Sequence, residues 1–275
     1  MYFETKFYTV VLFVIFLICG YETATPKNLF KMLFGNLYYI GNGFTASFLT
    51  FYLFIPFYNT LLEKLDRKNL FKLIVFCLGI YTGTSTFFFC ESVFSEPIWY
   101  MILYFIAAYI RKYGAGMWFY NNRIIGSALI CSIILAYMSV LIVDFVGSKF
   151  GFTAWSHMVS DSNKLLALMI GVEMFLFFNN MSLKYNKVIN TIASTMFGVL
   201  CIHANSDAMR AWLWKTMFNV NSMYSKPLIV LMFHAVISVV LIFTICIAID
   251  MGRIKFVETP VFVCLSKYKW FNLEL

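Results

Sequence analysis

Residues 228–251 read LIVLMFHAVISVVLIFTICIAIDM. A helix rises about 1.5 Å per residue, so this run can cross the roughly 30 Å of hydrocarbon in a bilayer. Only His234 and Asp250 interrupt it with ionisable groups. The run is continuous rather than alternating. Lipid offers no partner for backbone N–H and C=O groups, so an unbroken apolar run satisfies them as a helix and not as a barrel strand. Similar runs recur near Phe7–Tyr21, Asn42–Leu61, Leu70–Cys90, Ile98–Tyr113, Ile124–Val146, Leu165–Phe178 and Val188–Ile202. The pattern predicts an all-α, polytopic transmembrane helix bundle of about eight spans, forming a single domain over residues 1–275.

Composition agrees. The chain is 61% hydrophobic and 12% charged, against about 25% charged in soluble domains. A soluble fold this apolar has too few polar groups to cover its surface. The seven cysteines, Cys19, Cys77, Cys90, Cys131, Cys201, Cys246 and Cys264, lie in or beside apolar runs, and no CxxC occurs. Neither a disulfide framework nor a thiolate metal site is indicated; they read as small buried hydrophobes. The net charge of +8 forms no basic stripe, which argues against nucleic-acid binding.

Lys and Arg instead gather in short loops. Counted by alternate loops, 14 fall on one side, including Lys64, Arg67, Lys68, Arg111, Lys112 and Arg253, and 7 on the other, including Lys27, Lys149, Lys164 and Arg210. The excess marks the cytoplasmic side, which puts both termini inside and the segment after His203 outside. The expected location is a plasma (inner) membrane. A rival reading of Phe7–Tyr21 is a secretory signal peptide, but its charged start and cleavage site are weak, so a retained span is preferred. The longer non-spanning pieces, Glu22–Gly41, Gly147–Lys164 and Ser206–Pro227, are aromatic or amphipathic and suit the interface. Trp155, Trp212, Trp214 and Trp270 suit an aromatic belt.

The sequence carries no Walker loop, GxGxxG, HExxH or GxSxG, so the common soluble-enzyme sites are not expected. Chemistry concentrates in Thr195–Trp214, TMFGVLCIHANSDAMRAWLW. On a continuing helix, His203, Asp207 and Arg210 share a face. Asp207 would then fix the imidazole tautomer and Arg210 would bind a phosphate or carboxylate; Asn205 adds an amide. The plainer reading of His203 is a hydrogen bond at a helix end. His234, Glu173, Asp144 and Asp250 are pathway or helix-pairing candidates, because ionisable groups within a membrane face the bundle interior. His157 reads as interfacial. In Trp99–Tyr113, WYMILYFIAAYIRKY, Trp99, Tyr104 and Arg111 are substrate-binding candidates, and Arg111 and Lys112 can meet an anionic co-substrate.

These stretches carry a resemblance. Trp99–Tyr113 is similar to the "W-F-x-x-x-Y-x-x-x-A-Y-I-R" helix of the integral-membrane acyltransferase family 3. Ile189–Ile202, INTIASTMFGVLCI, runs into His203, Asn205, Asp207, Arg210 and Trp212-Leu-Trp as in that family. Asp250-Met-Gly-Arg-Ile-Lys-Phe-Val-Glu-Thr-Pro looks like its D-x-x-R-x-x-x-x-E-x-P ending, and Phe51–Asn59, FYLFIPFYN, like its "Y-L-x-x-P-x-x-N" segment. The likeness runs in order from about Phe44 to the C-terminus and is nearest to polysaccharide O-acetyltransferases. It implies a ten-helix bundle that moves an acyl group from acetyl-CoA or another acyl-CoA, as co-substrate and not as a bound cofactor, to a hydroxyl of a polysaccharide or lipid-linked glycan. It also implies a catalytic histidine in the family's first helix and an arginine pair further on. Phe7–Tyr21 has no histidine, and no R-x-x-R occurs. The expectation is a chain lacking the family's N-terminal catalytic helices, with little activity alone and with His203, Asp207 and Arg210 in supporting roles. Other classes compatible with the sequence are a glycan or lipid transporter and a non-catalytic membrane subunit.

Overall fold

The computed structural model describes residues 1–38, 44–88, 95–154, 156–182 and 184–267. Gly41, Asn42, Cys90, Trp155 and Trp270, named above, lie outside these residues. In chain order the helices are α1 (Tyr2–Ile18), α2 (Pro26–Tyr38), α3 (Phe44–Lys64), α4 (Arg67–Leu78), α5 (Thr84–Phe87), α6 (Glu96–Tyr113), α7 (Asn122–Phe150), α8 (Leu165–Asn179), α9 (Lys187–Ser194), α10 (Met196–His203), α11 (Asp207–Ala211), α12 (Val220–Met223), α13 (Leu228–Arg253) and α14 (Thr259–Leu265). Wider, π-helical turns occupy Gly79–Gly83, Trp212–Met217 and Ile254–Glu258. No strand occurs among the described residues. The all-helical class therefore stands.

Within the described residues the apolar runs are mainly helical, but the count of about eight spans is corrected. Among the described residues four helices are long and apolar enough to cross a membrane: Phe44–Lys64, Arg67–Phe87, Asn122–Phe150 and Leu228–Leu265. A fifth exists if the bent pair Lys187–His203 and Asp207–Met217 is one broken span. The others fall short for physical reasons. α8 has 15 residues, or about 22 Å at the helical rise. α1 has 17 residues and carries Glu4 and Lys6 in its first turns. α6 has 18, with Glu96 at its start and Arg111 and Lys112 in its last turn.

The chain divides into two compact units, Met1–Tyr38 with Tyr185–Leu275, and Tyr39–Lys184. In the second, α7 packs along α8, while α3 and α4 pack against α6. Leu62, Leu70, Ile74 and Phe105 form one buried cluster there, and Trp99, Ile102 and Leu168 another. In the first, α10 packs against both α1 and α13, burying Tyr8, Phe16, Val199, Ile202 and Ile242. Much of α7 and α13 is apolar and outward-facing, as at Ile130, Ile134, Phe233 and Val236. A helix hydrophobic on all sides belongs in a bilayer or a core. Cys201 and Cys246 are buried as read from sequence, whereas Cys19, Cys131 and Cys264 are exposed.

Helix ends are set by short polar side chains. Asp66 caps α4 by accepting from the Asn69 amide at 2.9 Å, and Asn186 caps α9 by accepting from Val188 and Ile189. Such caps satisfy amides that the first helical turn leaves without partners. α7 stops at Gly151, whose φ of 75° suits a residue without a side chain.

Gly198 carries the tightest requirement. A Cβ there would fall on the Asp250 carboxylate, so the α10–α13 approach depends on its absence. Gly198→Ala is expected to destabilise the protein by about 1–3 kcal/mol, the usual cost of overpacking. Thermal unfolding in detergent checks this, and Gly198→Ala with Asp250→Ala should lose less than the two single costs summed.

Candidate functional site

α10 ends at His203, and α11 begins at Asp207 after a bend of 91°. The shared face of His203, Asp207 and Arg210 required a continuing helix; that reading is corrected. Ser206 begins the new helix, its hydroxyl accepting from the Met209 amide at 3.1 Å. A hydroxyl at this position offers the backbone an alternative to helix continuation. Asn205 stays behind and donates from Nδ2 to the Cys201 carbonyl at 3.0 Å. Asp207 and Arg210 do pair, at 3.0 Å, but the Asp207 side chain is 99% exposed and that of Arg210 57%. An exposed pair of this kind is worth under about 1 kcal/mol.

His203 is half-buried, and its Nδ1 lies 2.7 Å from the Val199 carbonyl. A carbonyl only accepts, so Nδ1 carries the proton. In the neutral ring Nε2 then holds the lone pair. No hydrogen-bond partner of Nε2 occurs among the described residues. The tautomer that sequence reasoning assigned to Asp207 is fixed by the helix's own backbone.

The other candidates belong to the second unit. Trp99 is buried, packed with Ile102 and Leu168 against Tyr81 and Cys77. Tyr104 donates to Asn59 Oδ1 at 2.5 Å, which joins α6 to the FYLFIPFYN segment of α3. Arg111 is exposed. Lys112 donates to the Leu62 and Leu65 carbonyls at the end of α3. Arg67 donates from Nε to the Tyr109 hydroxyl at 3.2 Å and lies over the Tyr113 ring. Glu173 Oε2 is buried without a hydrogen-bond partner among the described residues. His157 Nε2 lies 3.2 Å from the Thr86 carbonyl. In the first unit, the His234 ring meets Phe218 edge-on at 6.4 Å, Trp212 meets Phe16, and Trp214 meets Phe218.

One constellation was not recognised from the sequence. Arg253 donates from Nε to Asp250 Oδ1 at 2.7 Å and from one terminal nitrogen to Glu4 Oε1 at 3.0 Å; the other terminal nitrogen pairs with Glu258. Tyr8 donates to the same Asp250 oxygen at 2.6 Å, and its ring lies under the guanidinium. The Arg253 side chain is 2% exposed and that of Asp250 0%. Burial pushes the Glu4 carboxyl above its ordinary range; Arg253 pulls it down, while Asp250 and Glu258 push it further up. Among the described residues Asp250 Oδ2 has no hydrogen-bond partner; it faces the gap left by Gly198. The π-helical turn Ile254–Glu258 explains why Glu258, five residues on, reaches Arg253, since such a turn aligns residues five apart. The available signals were the i,i+3 pair Asp250–Arg253 and the i,i+4 pair Glu4–Tyr8. No group of three or more His, Cys, Asp or Glu suited to a metal occurs among the described residues.

Of the first unit's candidates, His203 presents an open Nε2, and the Arg253 cluster is an ionic lock. Removing the guanidinium leaves buried carboxylates uncompensated, which costs about 3–5 kcal/mol. Arg253→Met is expected to lose that much in detergent unfolding, or to fail to accumulate. Arg253→Lys should not restore it, because an ammonium lacks the planar fork that spans separated carboxylates. Glu258→Gln should cost much less, since that side chain is 34% exposed.

No protein-family model matches the chain, and no curated protein and no solved structure does either.

Proposed function

We propose that the chain is a membrane acyltransferase that moves an acetyl group from acetyl-CoA to a hydroxyl of a cell-surface polysaccharide or lipid-linked glycan. In this reading it lies in the plasma membrane with its basic loops and both termini cytoplasmic. The shorter helices α1, α6 and α8 then enter the bilayer to part of its depth. The observation that carries the proposal is the convergence of Asp250, Arg253 and Glu258. These are the three polar residues of the D-x-x-R-x-x-x-x-E-x-P ending, and their meeting gives that spacing a physical purpose. The Tyr104–Asn59 bond does the same for two further motif segments.

Acyl transfer needs the sugar oxygen to attack the thioester carbonyl. The C–S bond breaks, and the hydroxyl proton ends on the departing thiol. A neutral His203 with Nδ1 held by Val199 presents an Nε2 acceptor that can orient the attacking hydroxyl. A general base must sit within hydrogen-bond reach of that proton. The resemblance assigns this task to a histidine without a counterpart in Phe7–Tyr21, so His203 takes a positioning role. Arg111, exposed at the end of α6, suits the phosphates of acyl-CoA.

The test uses membranes and purified chain with acetyl-labelled acetyl-CoA and glycan. The chain is expected to bind acetyl-CoA, with affinity reduced severalfold in Arg111→Ala. Label transfer should be slow and should fall at least tenfold further in His203→Ala. Absence of acetyl-CoA binding, together with glycan or lipid movement across liposomes in its absence, overturns the proposal in favour of a transporter.

A further inference from the structure

Lys164 is a buried cation without a buried anion. It is 7% exposed and stands at the N-terminus of α8. Its ammonium donates to the Ser85 carbonyl at 2.6 Å. Among the described residues this is its one polar contact, and no ion pair includes it. An ammonium has three N–H donors, so two are left over. A charge withdrawn from water costs several kcal/mol unless an opposite charge compensates it. Capping a helix-end carbonyl accounts for one donor and for none of the charge.

The surroundings are built for polar contact. Thr82, Ser85 and Thr86 lie i, i+3 and i+4 along Arg67–Phe87 and so share a face; all three are buried. Through the Tyr81 carbonyl, Ser85 and Thr86, this stretch meets Asn163, Lys164 and Leu165. Asn163 donates to the Tyr81 carbonyl at 2.9 Å and to Ser85 Oγ at 3.3 Å. The Leu165 amide donates to Thr86 Oγ1 at 3.1 Å. Thr82 is the exception: it is 3% exposed, and its hydroxyl has no hydrogen-bond partner among the described residues. Buried hydroxyls without partners are rare because each costs about 1–3 kcal/mol. The turn Gly79–Gly83 that carries Thr82 is π-helical, a geometry often found at functional sites. Residues 160–162 just before the lysine are exposed. The nearby Asp161 carboxylate accepts from Ser160 at 2.7 Å and does not pair with Lys164.

We propose that Lys164 and Thr82, framed by Ser85 and Asn163, form a binding site for a small oxyanion, the carboxylate or phosphate group of a ligand. The ammonium supplies charge and two N–H donors, and the Thr82 hydroxyl supplies a third. The site does not depend on the acyl-transfer reading.

The full chain in detergent is unfolded thermally with inorganic phosphate, with acetate, and with sodium chloride at matched ionic strength. The same measurement in nanodiscs compares phosphatidylglycerol with phosphatidylcholine. The expected result is a midpoint rise of several degrees with phosphate, acetate or phosphatidylglycerol over its control. That rise should vanish in Lys164→Met, persist in Lys164→Arg and shrink severalfold in Thr82→Val. A rise with soluble anions only assigns a soluble ligand, and a rise with phosphatidylglycerol only assigns a lipid headgroup. If Lys164→Met does not fold, Thr82→Val, which removes one hydroxyl at constant shape, carries the test. A wild-type midpoint indifferent to every anion, or variants that respond as the wild type does, overturns the proposal.

Discussion

The first unit depends on keeping one guanidinium out of water. Arg253 is surrounded by Asp250, Glu4 and Glu258, and each contact uses a different edge of its planar fork. Three carboxylates cannot share one cation at full charge without penalty; at Glu4, burial first and then the neighbouring Asp250 and Glu258 push the carboxyl up against the pull of Arg253. The geometry then dictates much else. α1 must lie against α10 and α13 for Tyr8 and Glu4 to arrive, α10 must carry a glycine opposite Asp250, and the chain after α13 must widen into a π turn to return Glu258. Hydrophobic burial holds these helices together without choosing their register. The buried polar contacts supply that choice, a use of buried ionic groups with precedent in helical assemblies.

The second unit solves the same problem differently. It uses lysines to fill helix-end carbonyls, Lys112 at the end of α3 and Lys164 at Ser85. It uses tyrosines to tie helix to helix, Tyr104 to Asn59 and Tyr109 to Arg67. Aromatic rings run along α3 and α6, with Phe51 meeting Tyr58, Tyr100 and Tyr104, and Tyr58 meeting Tyr104. Rings of this kind combine large contact area with a polar tip, which suits helices whose middles are apolar and whose ends are wet.

The helical class was legible because apolar runs such as Leu228–Met251 leave the backbone no alternative in lipid. The number of spans was not, because counting runs ignores where a helix stops. α8 reads as a span from composition alone, yet the helix is 15 residues long. The His203 region failed for a related reason. Spacing of three and four is meaningful only while the helix persists, and Ser206 with Asn205 diverts the backbone within that interval. The ionic lock escaped because its parts are distant in sequence: Glu4 and Tyr8 look like the polar edge of an apolar helix, and Glu258 lies five residues from Arg253. No local period announces a partner more than two hundred residues away.

That separation also orders events during synthesis. Glu4 and Arg253 are 249 residues apart, and ribosomes add about 5–20 residues per second. The first helix therefore waits roughly 12–50 s at those rates before its counter-charge has been made. The second unit is one continuous segment, Tyr39–Lys184, and is complete before the first can close. In the interval an unpaired carboxylate at the start of α1 favours the protonated state or a place near water. The helix made first is thus the last to be locked, because its counter-charge is made 249 residues later.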